Sequence, residues 1–468
     1  MSNVPEYRSI VSLIPGGVVQ FLDFGLNIDA YRRLKLYFRE EPRPEADRGQ
    51  GEVPHVLFCL EEDPELGRIV DRRTREPGAD QYQITGQQAI EPYLGQWVPV
   101  PILRLKADRW SHDNRPKFER GPTNWARAML TLDDDPQSDF SHRLVLAFDT
   151  LVEDRPTQRE PYFALSGEDV MANAQFGLAH LERDNSWFLN LGWVDEWLKA
   201  LFHQHQMRKR HNRPLRSDEW PWVLYHLANY LTFLQVLHGF SERPEQEVRP
   251  LLPTFKVTDP SQTAPIDVDL VLDLGNSRTC GILVETSAEA LTNLNDSYLL
   301  QIRDLSRPAH IYEEPFETRV EFSEADFGNT RLSARSGRVS EAFAWPSVVR
   351  VGPEAVRLAS RSEGAEGNTG MSSPKRYLWD QRERRQQWRY NGVSAEGASE
   401  PPVTRGVFLQ FINKEGTPLA SFAEDASEVR EDPYLRRQSD QVAFEARFTR
   451  SSLMMFILSE IIMHALVN

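Results

Sequence analysis

With 468 residues, 40% of them hydrophobic, the chain has enough apolar material for two or three cores rather than one. Its 69 acidic residues outnumber 54 basic ones, and the formal net charge of −15 argues against non-specific binding to nucleic acid or to an anionic membrane. Cys59 and Cys280 are the only cysteines and lie far apart in the sequence, the usage expected of a reducing, cytoplasmic location rather than an oxidising one.

The first thirty residues lack a basic start, an apolar core and a small-residue cleavage site, so no secretory signal is expected. Short apolar runs at 18–23, 55–60, 97–105 and 143–148 alternate with turns rich in Pro, Gly and Asp, which predicts strands and loops. Leu26, Ile28 and the stretch 31–37 predict a strand leading into a helix. From 167 to 239 the texture changes. Trp193, Trp197, Leu198 and Leu201, then Val223, Leu227, Tyr230 and Leu231, recur at helical spacing and predict two or three packed helices.

The polar, proline-bearing stretch that follows carries no sustained periodicity and marks a domain boundary. An α+β module of unknown role is expected over 1–250 and a linker over 251–266. Later apolar runs are separated by polar insertions, and 360–370 and 391–402 read as exposed loops. The longest apolar tract, 453–467, is interrupted by Ser459, Glu460 and His464 and is shorter than a membrane span requires, so a buried helix is expected there.

The segment with the clearest chemistry is Asp269-Leu-Val-Leu-Asp273-Leu-Gly275-Asn276-Ser277-Arg278-Thr279-Cys280-Gly-Ile-Leu-Val284, a strand, a tight polar turn and a second strand. A phosphate cradle needs a glycine permitting unusual backbone angles, small neighbours whose amides converge on phosphate oxygens, and a carboxylate at the strand end. Asp273, Gly275, Asn276, Ser277 and Thr279 supply those parts. Asp273 would hold hydrated Mg²⁺ through water rather than touch phosphate. A plain β-hairpin, with Gly275 and Asn276 serving only turn geometry, accounts for the same spacing.

This segment resembles the first phosphate turn of the superfamily of actin, sugar kinases and DnaK-type chaperones. Further on, Trp345-Pro-Ser-Val-Val349 resembles the chaperone Pro-Ser-x-Val strand, and Val351-Gly-Pro-Glu-Ala355 resembles the Gly-Asp/Glu-x-Ala turn after it. Ser373-Pro-Lys375-Arg-Tyr-Leu378 resembles the segment that carries the chaperones' catalytic lysine. The resemblance covers about 267–468 and implies a partial ribonuclease-H-like, actin-type ATPase lobe of α/β class, a mixed sheet with flanking helices, which binds ATP and Mg²⁺ with Lys375 as the catalytic cation. The sequence departs from the pattern through a long insertion between Glu285 and Ala344 and through Arg278, which would reach phosphate or a subdomain carboxylate. No second Asp-x-Gly-Gly turn and no adenosine-binding Gly-Gly segment follows Lys375, which leads to the expectation of one part of a longer protein.

Taken whole, Ser12 to Gly25 together with Leu272 to Gly281 resembles the bacterial virulence factor SrfB family. That likeness implies a bacterial origin and an ATPase-like second region. Three roles stay open: a nucleotide-dependent switch for an unknown protein partner, a scaffold without turnover, and a small-molecule kinase.

Several other signals are read as structural. Asp23-Phe-Gly25 ends a run like that at 273–275 but lacks a matching second strand. His203, His205 and His211 sit with Arg208, Lys209 and Arg210 at a helix end, without metal-ligand spacing. The Arg- and aromatic-rich stretch 382–390 reads as a solvated face, Asp133 to Asp135 as a turn, and Cys280 as a buried small hydrophobe.

Overall fold

A computed structural model describes residues 10–16, 19–28, 31, 33–42, 55–63, 67–71, 74–76, 81–110, 116–152, 164–213, 216, 222–239, 251–262, 266–286, 297–323, 325, 327–328, 343, 345, 347–361, 369–380, 384–385, 391, 447–448 and 450–467. Helices and sheets both contribute, and the chain is of α/β class. It forms two compact units, Met1–Thr263 with Phe327–Phe343, and Ala264–Asp326 with Ala344–Asn468.

Unit 1 opens with β1 (Ile10–Leu13), β2 (Gln20–Leu26), β3 (Lys35–Pro42), β4 (His55–Asp63), β5 (Arg68–Asp71) and β6 (Gln81–Thr85). The short helix α1 (Gly86–Ile90) precedes β7 (Trp97–Pro99), β8 (Ile102–Trp110), β9 (Pro116–Glu119), β10 (Ala126–Leu132) and β11 (His142–Phe148). Then come α2 (Gly167–Met171), β12 (Gln175–Leu178), α3 (Glu182–Leu189), α4 (Gly192–Lys209), α5 (Tyr225–His238) and β13 (Thr254–Val257).

These strands build sheets in the orders β1-β13-β12-β8-β9, β2-β11-β10-β7 and β5-β4-β3-β6, with only the β1–β13 pair parallel among them. Alternation along β11 and β13 turns Phe148 and Phe255 inward, 4.9 Å apart. Trp125 fills the gap, 5.1 Å from Phe148 and 4.7 Å from Phe176, and its indole N–H donates to the Ile102 carbonyl at 2.9 Å. Between α4 and α5, His226 Nε2 lies 2.6 Å from Asp195 Oδ1. Burial would raise the Asp195 carboxyl, but His226 and Lys199 hold it below the usual range, while burial depresses His226.

Two expectations fail in this unit. Residues 31–37 do not form a helix: Leu34 N donates to Tyr31 O at 2.9 Å in one tight turn, and β3 starts at Lys35, hydrogen-bonded to β4 and β6. Pairing on both edges overrides the local helical spacing. Within 251–266, β13 lies between β1 and β12, its inward Phe255 and Val257 fully buried, so that part is core strand rather than linker. Four residues are too few to show a period of two against surrounding prolines.

Unit 2 begins with β14 (Asp267–Leu274), β15 (Arg278–Thr286), β16 (Ser297–Leu299), β17 (Ile302–Arg303), β18 (Ile311–Tyr312), β19 (Phe316–Glu317) and β20 (Arg319–Phe322). It continues with β21 (Val349–Val351), α6 (Gly352–Arg361), β22 (Gly370–Ser372), a 3-10 turn Pro374–Tyr377, β23 (Arg384–Arg385), β24 (Arg447–Phe448) and α7 (Arg450–Val467). β15 pairs with β14, β16 and β19, and β20 with β21 and β22. The α7 residues Leu453, Phe456, Ile457 and Ile461 bury into a core shared with Phe322 and Val349. Among the described residues no helix is long and apolar enough to cross a membrane.

Candidate functional site

The run Leu270, Leu272, Leu274 puts one face of β14 on the unit 2 core, and Asp269, Val271 and Asp273 therefore fall on the exposed face. β14 and β15 pair antiparallel from Asp267 opposite Thr286 to Leu274 opposite Thr279, so Gly275, Asn276 and Ser277 form the connecting turn. Gly275 N donates to Arg278 O at 2.8 Å. A Cβ on Gly275 would sit 2.4 Å from that same carbonyl. Gly275 is absent from the glycines with positive φ, so it is required for close backbone approach rather than for an unusual backbone angle.

Thr318 fixes the turn from below. Its N–H donates to Ser277 O at 3.0 Å, its hydroxyl donates to Gly275 O at 3.0 Å, and the same hydroxyl lies 2.8 Å from that of buried Thr279. With the carbonyls of Gly275 and Ser277 held this way, the amide N–H groups of Asn276 and Ser277 carry no hydrogen bond to a described residue. The side chains of Asn276, Ser277 and Arg278 are exposed. Two consecutive free amides beside small exposed side chains are the donor set that a phosphate group requires.

Lys375, 101 residues away in sequence from Leu274, comes to this turn and its Nζ donates to Leu274 O. It is carried on the 3-10 turn after Ser373, whose N–H donates to Thr318 O at 2.7 Å. Ser373 has φ 50° and ψ 48°, a left-handed conformation that a non-glycine residue ahead of proline adopts only under constraint. Thr318 thus ties together the turn and the Lys375 segment, with Asp273, Gly275, Asn276, Ser277, Arg278, Thr279 and Lys375 all in one neighbourhood.

Alongside lies an open groove of about 780 Å³, lined by residues that include Ser277, Arg278, Glu317, Val356, Arg357 and Ser373. Its helical wall is α6. Gly352 starts α6 at φ 62°. Glu354, two residues further, is buried and accepts from Leu305 N and Ser306 N at 3.0 Å each. Burial and the nearby Asp304 push its carboxyl up to about 7, against the pull of Arg350. Asp304, fully buried, accepts from Arg357 Nη2 at 2.8 Å and from Arg357 Nε at 3.2 Å, which orients that guanidinium. Behind the wall, Glu460 of α7 accepts from Trp345 Nε1 at 3.0 Å and from Arg350 Nη1 at 3.1 Å.

A family model described as virulence factor SrfB matches residues 1–468. The chain belongs to the SrfB family. No curated protein and no solved structure matches it. Membership supports a virulence-associated role for this SrfB family member.

The other sequence signals take structural places. Gly25 lies inside β2, opposite Arg143, and a Cβ there would strike the Phe140 ring at 2.2 Å, so Asp23-Phe-Gly25 forms no turn. Asp133 accepts from Ser138 Oγ at 2.7 Å and pairs with Arg143 at 3.1 Å, as a turn residue does. Lys209 pairs with Glu91 at 2.5 Å and His205 lies 3.8 Å from the same carboxylate. Among the described residues no group of three or more His, Cys, Asp or Glu side chains could hold a metal. Residues 382–383 and 386–390, and most of the loops expected at 360–370 and 391–402, lie outside the described residues. Sequence reasoning missed Thr318 and Arg357, and named Ser373 only as the first residue of the Lys375 segment, without its constrained backbone. Only Ser373 left a trace, as the residue before a proline at a break in periodicity.

Proposed function

We propose that this SrfB family member binds ATP with Mg²⁺ at the 273–279 turn and acts as a nucleotide-dependent switch for a protein partner in the cytoplasm. The observation that carries the reading is the meeting of Lys375 with Leu274 O at a turn whose Asn276 and Ser277 amides have no hydrogen-bond partner among the described residues. Those amides would hold phosphate oxygens. The Lys375 ammonium would offset their charge. Asp273, exposed at the end of β14, would take the metal through water, since Mg²⁺ commonly keeps several waters and uses one or two carboxylates besides phosphate. Arg278 and the Thr279 hydroxyl would complete the binding set, Arg278 as a second cation and Thr279 by holding the turn through Thr318.

In this reading unit 2, Ala264–Asp326 with Ala344–Asn468, contributes an actin- and chaperone-like ATPase lobe, and unit 1 recognises the partner. The order Asp273, Val349, Glu354, Lys375 along unit 2 supports it, because strand, turn and lysine follow one another as in that superfamily. The test is magnesium-dependent ATP binding and hydrolysis, compared among the chain, Asp273→Ala and Lys375→Ala. Binding that both substitutions abolish supports the switch. Binding without hydrolysis in every version identifies a scaffold that keeps the site without turnover, and no binding at all removes the nucleotide assignment.

A further inference from the structure

We infer that the outer edge of β14 is a second interface, which takes an antiparallel β-strand of a partner protein whose residues run basic, apolar, basic along one face. The inference goes beyond the nucleotide reading and stands without it.

β14 is eight residues long and, among the described residues, pairs only with β15. The turn sets the phase of that pairing. Gly275 N donates to Arg278 O, so this pair is a hydrogen-bonded one, and in an antiparallel ladder such pairs recur at every second residue. Asp269, Val271 and Asp273 therefore direct their N–H and C=O groups toward β15, while Val268, Leu270 and Leu272 direct theirs outward. Leu274 O closes the outward series and is the carbonyl that Lys375 takes, as this phase requires. From Val268 to Leu272 the outward backbone groups have no hydrogen-bond partner among the described residues.

Natural sheets blunt an open edge with proline, lysine or a bulge. β14 contains neither residue, and its register with β15 runs without a shift from Asp267 to Leu274. Ile266, Val268 and Val271 are 68%, 49% and 53% exposed, which leaves apolar surface on both faces beside the unpaired backbone. A free strand edge flanked in this way is the template for strand addition, where main-chain hydrogen bonds give affinity and alternate side chains give specificity.

Charge selects the occupant. Asp269, Val271 and Asp273 stand in a row on the exposed face of β14, and an added strand sets one residue opposite each. The complementary order is basic, apolar, basic, with apolar residues between to continue the face of Leu270 and Leu272. A second copy fits poorly. Two-fold pairing centred on Leu270 puts Asp267 opposite Asp273, and pairing centred on Val271 puts Asp269 opposite Asp273, like charges that oppose association.

The experiment is fluorescence anisotropy of the whole chain at low salt with a labelled, end-capped Thr-Lys-Leu-Val-Leu-Lys-Thr peptide. Omitting nucleotide and magnesium keeps the outcome independent of the ATP assignment. One control peptide carries glutamate in place of both lysines. The other is N-methylated at both leucines, which keeps the charge and removes the N–H groups that would meet Leu270 and Leu272. The inference requires that the parent peptide bind and that each control bind at least about tenfold more weakly. Asp269→Lys, at an exposed position, should weaken the parent peptide about fivefold, and a peptide with glutamate as its second lysine should bind that variant more tightly than the parent does. Absence of parent binding, equal binding of the N-methylated peptide, or affinity unchanged by Asp269→Lys would each overturn the inference. A dimer of the chain that Asp269→Lys strengthens would overturn it as well, by assigning the edge to a second copy.

Discussion

The sandwich of unit 1 closes on Trp125, Phe148, Phe176 and Phe255, all fully buried, whereas the first strand of the unit 2 hairpin buries only its Leu270, Leu272 and Leu274 side. In unit 1 the aromatic rings meet edge-on or tilted and their packing specifies the core. Unit 1 also buries a pair, His226 with Asp195, but in unit 2 the buried ion pairs, Arg357 with Asp304 and Arg350 with Glu460, lie next to the groove wall. Paired charges next to an open turn give a place where a ligand can be recognised, because side chains there are held by oriented partners rather than by contact alone.

Deleting the largest ring should break the comparison most. Trp125→Ala removes the indole between the two sheets and should cost about 3–5 kcal/mol, read as a lower urea midpoint. Glu460→Leu should cost unit 2 about 3 kcal/mol, because Arg350 is left buried without its shortest carboxylate partner, and the double change Glu460→Leu with Arg350→Met should recover much of the loss. Recovery would show that the pairing, not the packing, was what the first change removed.

The two units should also respond to pH with opposite slopes. Burial pushes His238, stacked 3.6 Å from His180, down to about 4. Between the ordinary histidine value and that one, the unfolded chain takes up a proton that the native chain refuses, so stability falls as pH falls, by at most about 3 kcal/mol. Glu354, faced by Arg350, Asp304 and the amides of Leu305 and Ser306, has its carboxyl raised by burial. Its native form keeps a proton that the unfolded chain has lost, so its contribution is present at low pH and disappears as pH rises through the folded value. Urea titrations across pH should show His238→Leu flattening the first slope and Glu354→Gln the second. The smallest effect is expected at Thr85, whose hydroxyl caps α1 by accepting from Gln88 N at 3.2 Å. Thr85→Ala should lower unit 1 stability by about 1 kcal/mol.

The hairpin was legible in the sequence because Leu270, Leu272 and Leu274 alternate with polar or exposed residues and end at a glycine-containing turn. The helices of 192–209 and 225–238 were legible from tryptophan and leucine spacing. What local patterns could not show were the long-range meetings: Lys375 with Leu274 O, Thr318 with two turn carbonyls, Arg350 with Glu460 across 110 residues. Arg127 is a similar case. It is fully buried, its guanidinium 3.9 Å from the Phe343 ring, in a strand whose sequence gives no sign that an arginine belongs in the core. Gly275 was recognised as necessary for the wrong reason, since backbone proximity to Arg278 O leaves no trace in residue type beyond glycine itself.

Amide hydrogen exchange at Asn276 and Ser277, with and without magnesium ATP, tests the central claim most directly, because those two N–H groups are the donors on which the phosphate assignment stands. The account requires strong protection of the 275–277 turn when nucleotide is added, lost in Lys375→Ala. Exchange at the turn that stays unchanged at saturating magnesium ATP would contradict it and leave the hairpin as a structural element only.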